Sequence, residues 1–173
     1  MTIAVPDPTV KTAYKAGALA LLLAAASILG ALAFEHIGGL PPCPLCLEQR
    51  YAYYAGIPVL FFALVVLSAG EARWAALLFG LVALAFLANA GLGVYHAGAE
   101  WGFWPGPDSC MGAQAITSDA GGLLDSLKTT NVIRCDEAAI RILGFSLAGW
   151  NAVVSFLAFA LCARATTASL RAE

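Results

Sequence analysis

Residues 43–70 read CPLCLEQRYAYYAGIPVLFFALVVLSAG. Two cysteines three positions apart, Cys43 and Cys46, stand ahead of an uncharged run of 20 residues, Tyr51–Gly70. A run of this length and composition is typical of a helix that spans a membrane. Pro58 lies inside the run, and membrane helices tolerate proline where neighbouring groups satisfy the freed backbone. The stretch therefore predicts a membrane span that begins beside a pair of cysteines.

Three further uncharged runs predict a bundle of four spans. Together with the first, their approximate bounds are residues 16–34, 51–70, 74–95 and 142–163. The 173-residue chain is 61% hydrophobic and 12% charged, whereas soluble domains have roughly 45–50% apolar and 25% charged residues. We therefore predict an all-α membrane protein, a single-domain bundle of four transmembrane helices with outer loops at about 35–50 and 96–141. The net charge of −2 gives no indication of nucleic acid as a partner.

A cleaved signal peptide is the alternative interpretation of the first run. Lys11 and Lys15 would form its basic region, and Ala31-Leu32-Ala33 would be the cleavage site. The run of 19 residues at 16–34 is longer than the ~7–15 residues of a signal-peptide core. Because three more spans also follow it, we predict a retained helix.

The second outer loop carries the other two loop cysteines, Cys110 and Cys135. It also holds Leu123, Leu124 and Leu127, an apolar stripe at helical spacing. This stripe predicts a short surface helix, which lies either on the membrane or against the protein itself.

An even number of spans places both termini on one side of the membrane and the four loop cysteines on the other. Disulfides persist in oxidising compartments outside the cytoplasm. Five Lys and Arg residues on the side of the termini against four on the side of the loops favour the same orientation weakly. We therefore predict cytoplasmic termini and cysteine-bearing loops outside the cytoplasm.

The spacing of Cys43 and Cys46 is typical of a redox pair, a metal half-site or a haem attachment site. Haem attachment requires histidine directly after the second cysteine, where Leu47 stands. A four-cysteine zinc site usually has two closely spaced pairs, whereas 24 residues separate Cys110 from Cys135. A Cys110–Cys135 bridge would stabilise the fold by ~3 kcal/mol, but a Cys43–Cys46 bridge closes too small a loop to do so. This difference favours disulfide exchange at the first pair, and we predict no metal.

The residues around Cys46 favour a reactive thiolate. If the second helix begins near Pro44, a favoured first position, Cys46 lies in the first turn, where backbone N–H groups and the helix dipole stabilise negative charge. Arg50 lies one turn further on the same face, ~6 Å along the axis, and would stabilise the thiolate or hydrogen-bond an oxygen of a bound ligand. Anchoring at the membrane surface is the alternative role of Arg50. His36 and His96 fall near outer helix ends, where interfacial placement and haem ligation are both open.

At this point the chain resembles the disulfide-bond-formation protein B (DsbB) family. The features that carry the resemblance are four spans, the motif C-x-L-C-x-x-[QE]-R at residues 43–50, the later cysteine pair, Glu35-His36, and the sequence LGFSL at residues 143–147. The resemblance covers nearly the whole chain.

The resemblance implies a protein-dithiol:quinone oxidoreductase in the bacterial inner membrane, with its cysteine loops in the periplasm. A reduced DsbA-like protein would attack a Cys110–Cys135 bridge, and the released Cys135 would then attack Cys43. Cys46 would be freed as a thiolate beside ubiquinone or menaquinone. Arg50 matches the family arginine that supports quinone binding, and His96 is aligned with a family histidine near the quinone.

Two rival interpretations remain at the level of sequence. One is a specialised oxidase of the same kind that serves a single dedicated substrate. The other is a non-catalytic tetraspan protein whose loop disulfides are structural, which predicts inert bridges.

Overall fold

Four long helices make up most of the computed structural model, which describes residues 7–107 and 135–172. The helices are α1 (Pro8–His36), α2 (Pro44–Ser68), α3 (Ala72–Glu100) and α4 (Leu147–Leu170). Each of the four is long and apolar enough to cross a membrane. The predicted all-α bundle of four membrane helices is therefore confirmed, whereas the predicted surface helix at Leu123–Leu127 lies outside the described residues.

The helices extend beyond the uncharged runs because a helix begins and ends at capping residues, not at the edge of an apolar stretch. α1 begins at Pro8, where the Asp7 carboxylate accepts a hydrogen bond of 2.8 Å from the Thr9 N–H. α2 begins at Pro44, as the sequence predicted, and continues unbroken through Pro58. α3 continues past its apolar run to Glu100.

The fourth helix begins later than the run at 142–163 suggested. Arg141–Ile142 (β1) pairs with Phe145–Ser146 (β2) in a two-stranded antiparallel hairpin, so residues 143–146 precede the helix instead of opening it. Leu143 and Gly144 form the turn with φ values of 53° and 87°, a left-handed geometry that glycine adopts readily and leucine rarely. Ser146 then caps α4 by accepting a 3.1 Å hydrogen bond from the Gly149 N–H.

The four helices pack in a ring, in which α1 lies between α2 and α4 and α3 lies on the opposite side between the same two. The short link between α2 and α3 turns at Gly70, where φ is 90°, and the two helices pack against each other as predicted. The most extensive contact is between α3 and α4. There a Cβ on Gly93 would lie 2.9 Å from the Ala152 Cα, and such small residues allow membrane helices to approach closely.

Large apolar side chains occupy both the interior and the outside of the bundle. Leu60, Phe79 and Phe86 are fully buried at its centre. Leu22 and Leu84 are about two-thirds exposed on its outer surface. A helix that is apolar on all sides is expected where lipid replaces water as the surrounding medium.

Candidate active site

The first cysteine pair lies at the N-terminus of α2. Cys43 is the N-cap residue, and its sulfur accepts a hydrogen bond of 3.2 Å from the Cys46 N–H. Pro44 takes the first helical position, so Cys46 falls in the first turn, as predicted. Both cysteines carry free thiols, Cys43 buried and Cys46 partly exposed.

The two thiols differ in their surroundings. A hydrogen bond with the Cys46 thiol and burial raise the pKa of Cys43 well above its usual range. Cys43 therefore holds its proton at neutral pH, and a reaction at its sulfur needs a group that accepts this proton. Cys46 instead lies in the first turn of α2, where N–H groups and the helix dipole favour negative charge.

The second outer loop brings Cys135 to the same place. The sulfur atoms of Cys43 and Cys135 and a ring nitrogen of His96 all lie within 4.8 Å of one another. Cys135 is 1% exposed and packs with Cys43 and Leu45 in a small apolar cluster. Cys135 is part of a disulfide, while Cys110 lies outside the described residues. The two outer loops thus meet at Cys43 and Cys135, residues far apart in the sequence.

His96 projects from α3 into this cluster. Its Nε2 lies 3.6 Å from the Cys43 sulfur, and its Nδ1 lies 2.9 Å from the Gln49 amide nitrogen. With the Gln49 amide rotated so that its oxygen accepts from the Nδ1 proton, Nε2 carries no proton and can accept one from a thiol beside it. The Glu100 carboxylate lies 3.8 Å from Nε2. Sequence reasoning gave no role to Gln49 or Glu100, although Gln49 belongs to the cysteine motif and Glu100 stands one helical turn after His96.

Zinc is one chemistry that such a cluster allows, because thiolates and imidazole nitrogen are its usual ligands. The disulfide at Cys135 occupies one of the three candidate ligand atoms. The cluster of Cys43, Cys135 and His96 is therefore arranged for sulfur exchange in the oxidation state that the structure shows.

Arg50 lies one turn beyond Cys46 and forms an ion pair with Glu35 at the end of α1. The Arg50 side chain is 11% exposed, so its charge is held close to the protein and not extended into solvent. The pair joins the last turn of α1 to the first turns of α2. The sequence contained Glu35 next to His36, but no pattern identified Glu35 as the partner of Arg50.

A cavity of about 430 Å³ opens beside Cys46. Its walls come mainly from α1, α2 and α4, and they include Cys46, Arg50, Tyr53, Phe34, Trp150 and Asn151. The volume is in the range of ~300–1,000 Å³ that small-molecule sites have, and the walls are predominantly apolar. The cavity thus joins one sulfur of the first cysteine pair and one guanidinium to a space suited to an apolar ligand. His96 is not among the lining residues, and its predicted contact with a quinone stays a prediction.

Comparisons with known proteins show the family of the chain. A family model described as "Disulfide bond formation protein DsbB" matches residues 14–165. The chain is 30% identical over 154 residues to disulfide bond formation protein B of Acidovorax sp. (strain JS42), with 82% of each chain covered. It is 34% identical over 154 residues to the protein of that name from Verminephrobacter eiseniae (strain EF01-2), covering 83% of this chain and 78% of the relative. No solved structure matches. The chain is therefore a multi-pass membrane protein of the disulfide bond formation protein B family.

Proposed function

We propose that this protein is a quinone-dependent thiol oxidase that reoxidises a DsbA-like dithiol protein in the periplasm. Membership of the family supports a disulfide-forming oxidoreductase. The observation that carries the finer proposal is the position of Cys43. Its sulfur lies within 4.8 Å of the Cys135 sulfur. Cys43 also belongs to the same motif as Cys46, which lines an apolar cavity.

The proposed exchange uses four cysteines and conserves the number of disulfides at each step. A thiolate of the reduced partner attacks Cys110, and the Cys110–Cys135 bond breaks to release Cys135. The Cys135 sulfur attacks Cys43 of an oxidised Cys43–Cys46 pair. That bond breaks in turn, and Cys46 leaves as a thiolate at the helix N-terminus. The second thiol of the partner then attacks the partner's own sulfur in the mixed disulfide, which completes the partner's disulfide and releases Cys110 as the leaving thiolate.

His96 is suited to move protons in this exchange. It is 1% exposed, so water has little access to its ring. Its Nε2 is 3.6 Å from the Cys43 sulfur and its other nitrogen is held by Gln49. We assign it the proton of the attacking Cys135 thiol, and the proton of Cys43 when the first pair is reduced.

The cavity fits a quinone head group by size and by chemistry. The apolar walls suit the ring and the start of its isoprenoid tail. The Arg50 guanidinium can donate hydrogen bonds to a carbonyl oxygen of the quinone. Ubiquinone and menaquinone both have these features. When bound, the quinone supplies the two-electron, two-proton acceptor that the Cys43–Cys46 pair requires to re-form its disulfide. DsbA is itself a strong oxidant at about −120 mV, so its reoxidation requires an acceptor of higher potential than glutathione.

The proposal fixes the orientation of the protein in the bacterial inner membrane. The cysteine clusters face the periplasm, where disulfides persist, and both termini face the cytoplasm. A lipid-soluble quinone would enter the cavity from the membrane.

Steady-state turnover of the purified protein tests the proposal. Reduced DsbA-like partner and a short-chain ubiquinone analogue are supplied, and loss of quinone absorbance is followed. Cys46→Ser is expected to lower the rate at least 100-fold, because the sulfur beside the cavity is lost. Cys162→Ala is the matched control, since Cys162 is a free cysteine buried in α4 that lines neither the cavity nor the cluster of Cys43, Cys135 and His96. Its turnover rate should stay within twofold of wild type. Normal turnover by Cys46→Ser would contradict the scheme, whereas absence of turnover in the wild-type protein would favour structural disulfides.

A further inference from the structure

A polar network lies inside the bundle, below the cysteines. The Tyr53 hydroxyl donates to the Asn151 carbonyl oxygen at 2.7 Å and lies 3.1 Å from the Ser155 hydroxyl. The Asn89 amide donates to the Ser155 hydroxyl at 2.9 Å. These residues come from α2, α3 and α4, all of which are long and apolar enough to span a membrane. Polar side chains within membrane spans are costly and commonly mark a functional site.

One donor of this network has no partner. The Asn151 Nδ2 is buried, and it makes no hydrogen bond to any residue in 7–107 or 135–172. The Asn151 carbonyl oxygen is occupied by Tyr53, which fixes the direction of the amide. A buried N–H without an acceptor is unfavourable and calls for a ligand or another partner.

The network divides into two pairs by its relation to the cavity. Tyr53 and Asn151 line the cavity beside Cys46, whereas Asn89 and Ser155 do not. Tyr53 is three residues after Arg50 on α2, ~4.5 Å further along the helix axis. The cavity therefore has hydrogen-bond donors at two depths, the Arg50 guanidinium near its outer end and the Asn151 amide further into the membrane.

We infer that the Asn151 N–H donates a hydrogen bond to a second carbonyl of the ligand in this cavity, on the far side of its ring from Arg50. This inference rests on the proposed function, because a quinone head group carries two carbonyl oxygens on opposite sides of one ring. Tyr53 acts as the positioning residue, since its hydroxyl holds the Asn151 carbonyl oxygen and so turns Nδ2 towards the ligand. The two donors, the Arg50 guanidinium and the Asn151 N–H, favour a ring with two carbonyls. A ring with one carbonyl or none would leave the Asn151 Nδ2 unpaired.

Direct binding to the purified protein tests the inference without turnover. Decylubiquinone is titrated and its Kd is read from quenching of tryptophan fluorescence, since Trp150 lines the cavity. Asn151→Leu is expected to raise the Kd about fivefold or more, the usual effect of losing one hydrogen bond. Asn89→Leu is the matched control, because the same substitution is made in the same network away from the cavity, and its Kd should stay within twofold of wild type.

Infrared difference spectra of decylubiquinone labelled with ¹³C at either carbonyl give a second readout in the wild-type protein. Both carbonyl bands should shift to lower frequency on binding, and Asn151→Leu should restore one of them. An unchanged Kd in Asn151→Leu, an equal rise in Asn89→Leu, or a shift of only one carbonyl in the wild type would each overturn the inference. Failure of wild-type protein to bind the quinone at all would instead contradict the proposed function.

Discussion

Replacement of His96 by glutamine tests the proton transfer at the centre of the site. Cys135 must lose its proton to attack the Cys43–Cys46 bond. Its sulfur lies within 4.8 Å of a ring nitrogen of His96, and Cys135 is only 1% exposed, so bulk water is poorly placed to accept this proton. A positioned general base commonly contributes 10²–10⁴-fold to a rate. The contact with sulfur is long, so we expect the lower end of this range, a fall of about 100-fold in the exchange between the two loops.

The neighbouring Gln49 gives a graded version of the same experiment. Gln49→Leu leaves the imidazole in place but removes the 2.9 Å hydrogen bond that orients it. Loss of one buried hydrogen bond of ~1 kcal/mol corresponds to about a fivefold lower rate. The order of rates should be wild type, then Gln49→Leu, then His96→Gln.

Single-turnover exchange without quinone is the assay, because it separates proton transfer from Cys135 from events in the cavity. Oxidised protein is mixed with reduced DsbA-like partner, quenched with acid at successive times, alkylated, and analysed by mass spectrometry for the Cys43–Cys135 disulfide. His36→Gln is the matched control, since His36 is exposed at the end of α1, and it should react at the wild-type rate. Exchange at the wild-type rate in folded His96→Gln would refute the proton-transfer role.

Two other changes test the cavity and the packing of the bundle. Arg50→Ala should raise the KM for quinone about tenfold in steady-state turnover, because hydrogen bonds from charged groups contribute ~1.5–3 kcal/mol. Arg73→Ala is its control, since Arg73 is exposed at the start of α3. An unchanged KM in Arg50→Ala would leave Arg50 as a membrane anchor. Gly93→Ala places a Cβ 2.9 Å from the Ala152 backbone and should lower the free energy of unfolding by ~1–3 kcal/mol in detergent titrations. Gly91→Ala is the control and should leave the free energy of unfolding unchanged, because its Cβ meets nothing within 4 Å. Equal stability of the two variants would show that α3 and α4 are less closely packed.

The four helices and the start of α2 could be predicted from the sequence because they depend on local features. Long uncharged runs indicate spans, and Cys43-Pro44 supplies an N-cap and a first helical residue in two adjacent positions. The ends of the helices were harder to predict, since hydropathy does not detect capping residues such as Asp7. The hairpin at 141–146 was missed for a related reason, because Leu143, Phe145 and their neighbours are as apolar as the helix that follows.

The arrangement of the site depends on contacts between distant parts of the chain. Cys43 and Cys135 were each recognised, but their approach to one another depended on the resemblance to a family and not on a local pattern. Tyr53, Asn89 and Asn151 each stand alone among apolar residues, so no motif connects them, although they meet in the folded bundle. A lone polar residue in each of several spans is the signal that would have justified a search for such a network.

Exchange between the two outer loops is tested most directly by trapping the Cys43–Cys135 bond. Wild-type protein turning over with reduced partner and limiting quinone is quenched with acid, the free thiols are alkylated, and disulfide-linked peptides are identified by mass spectrometry. A Cys43–Cys135 peptide should accumulate while quinone is scarce and disappear when quinone is added. Oxidation of the partner by quinone with no Cys43–Cys135 peptide at any time would contradict exchange between the two loops.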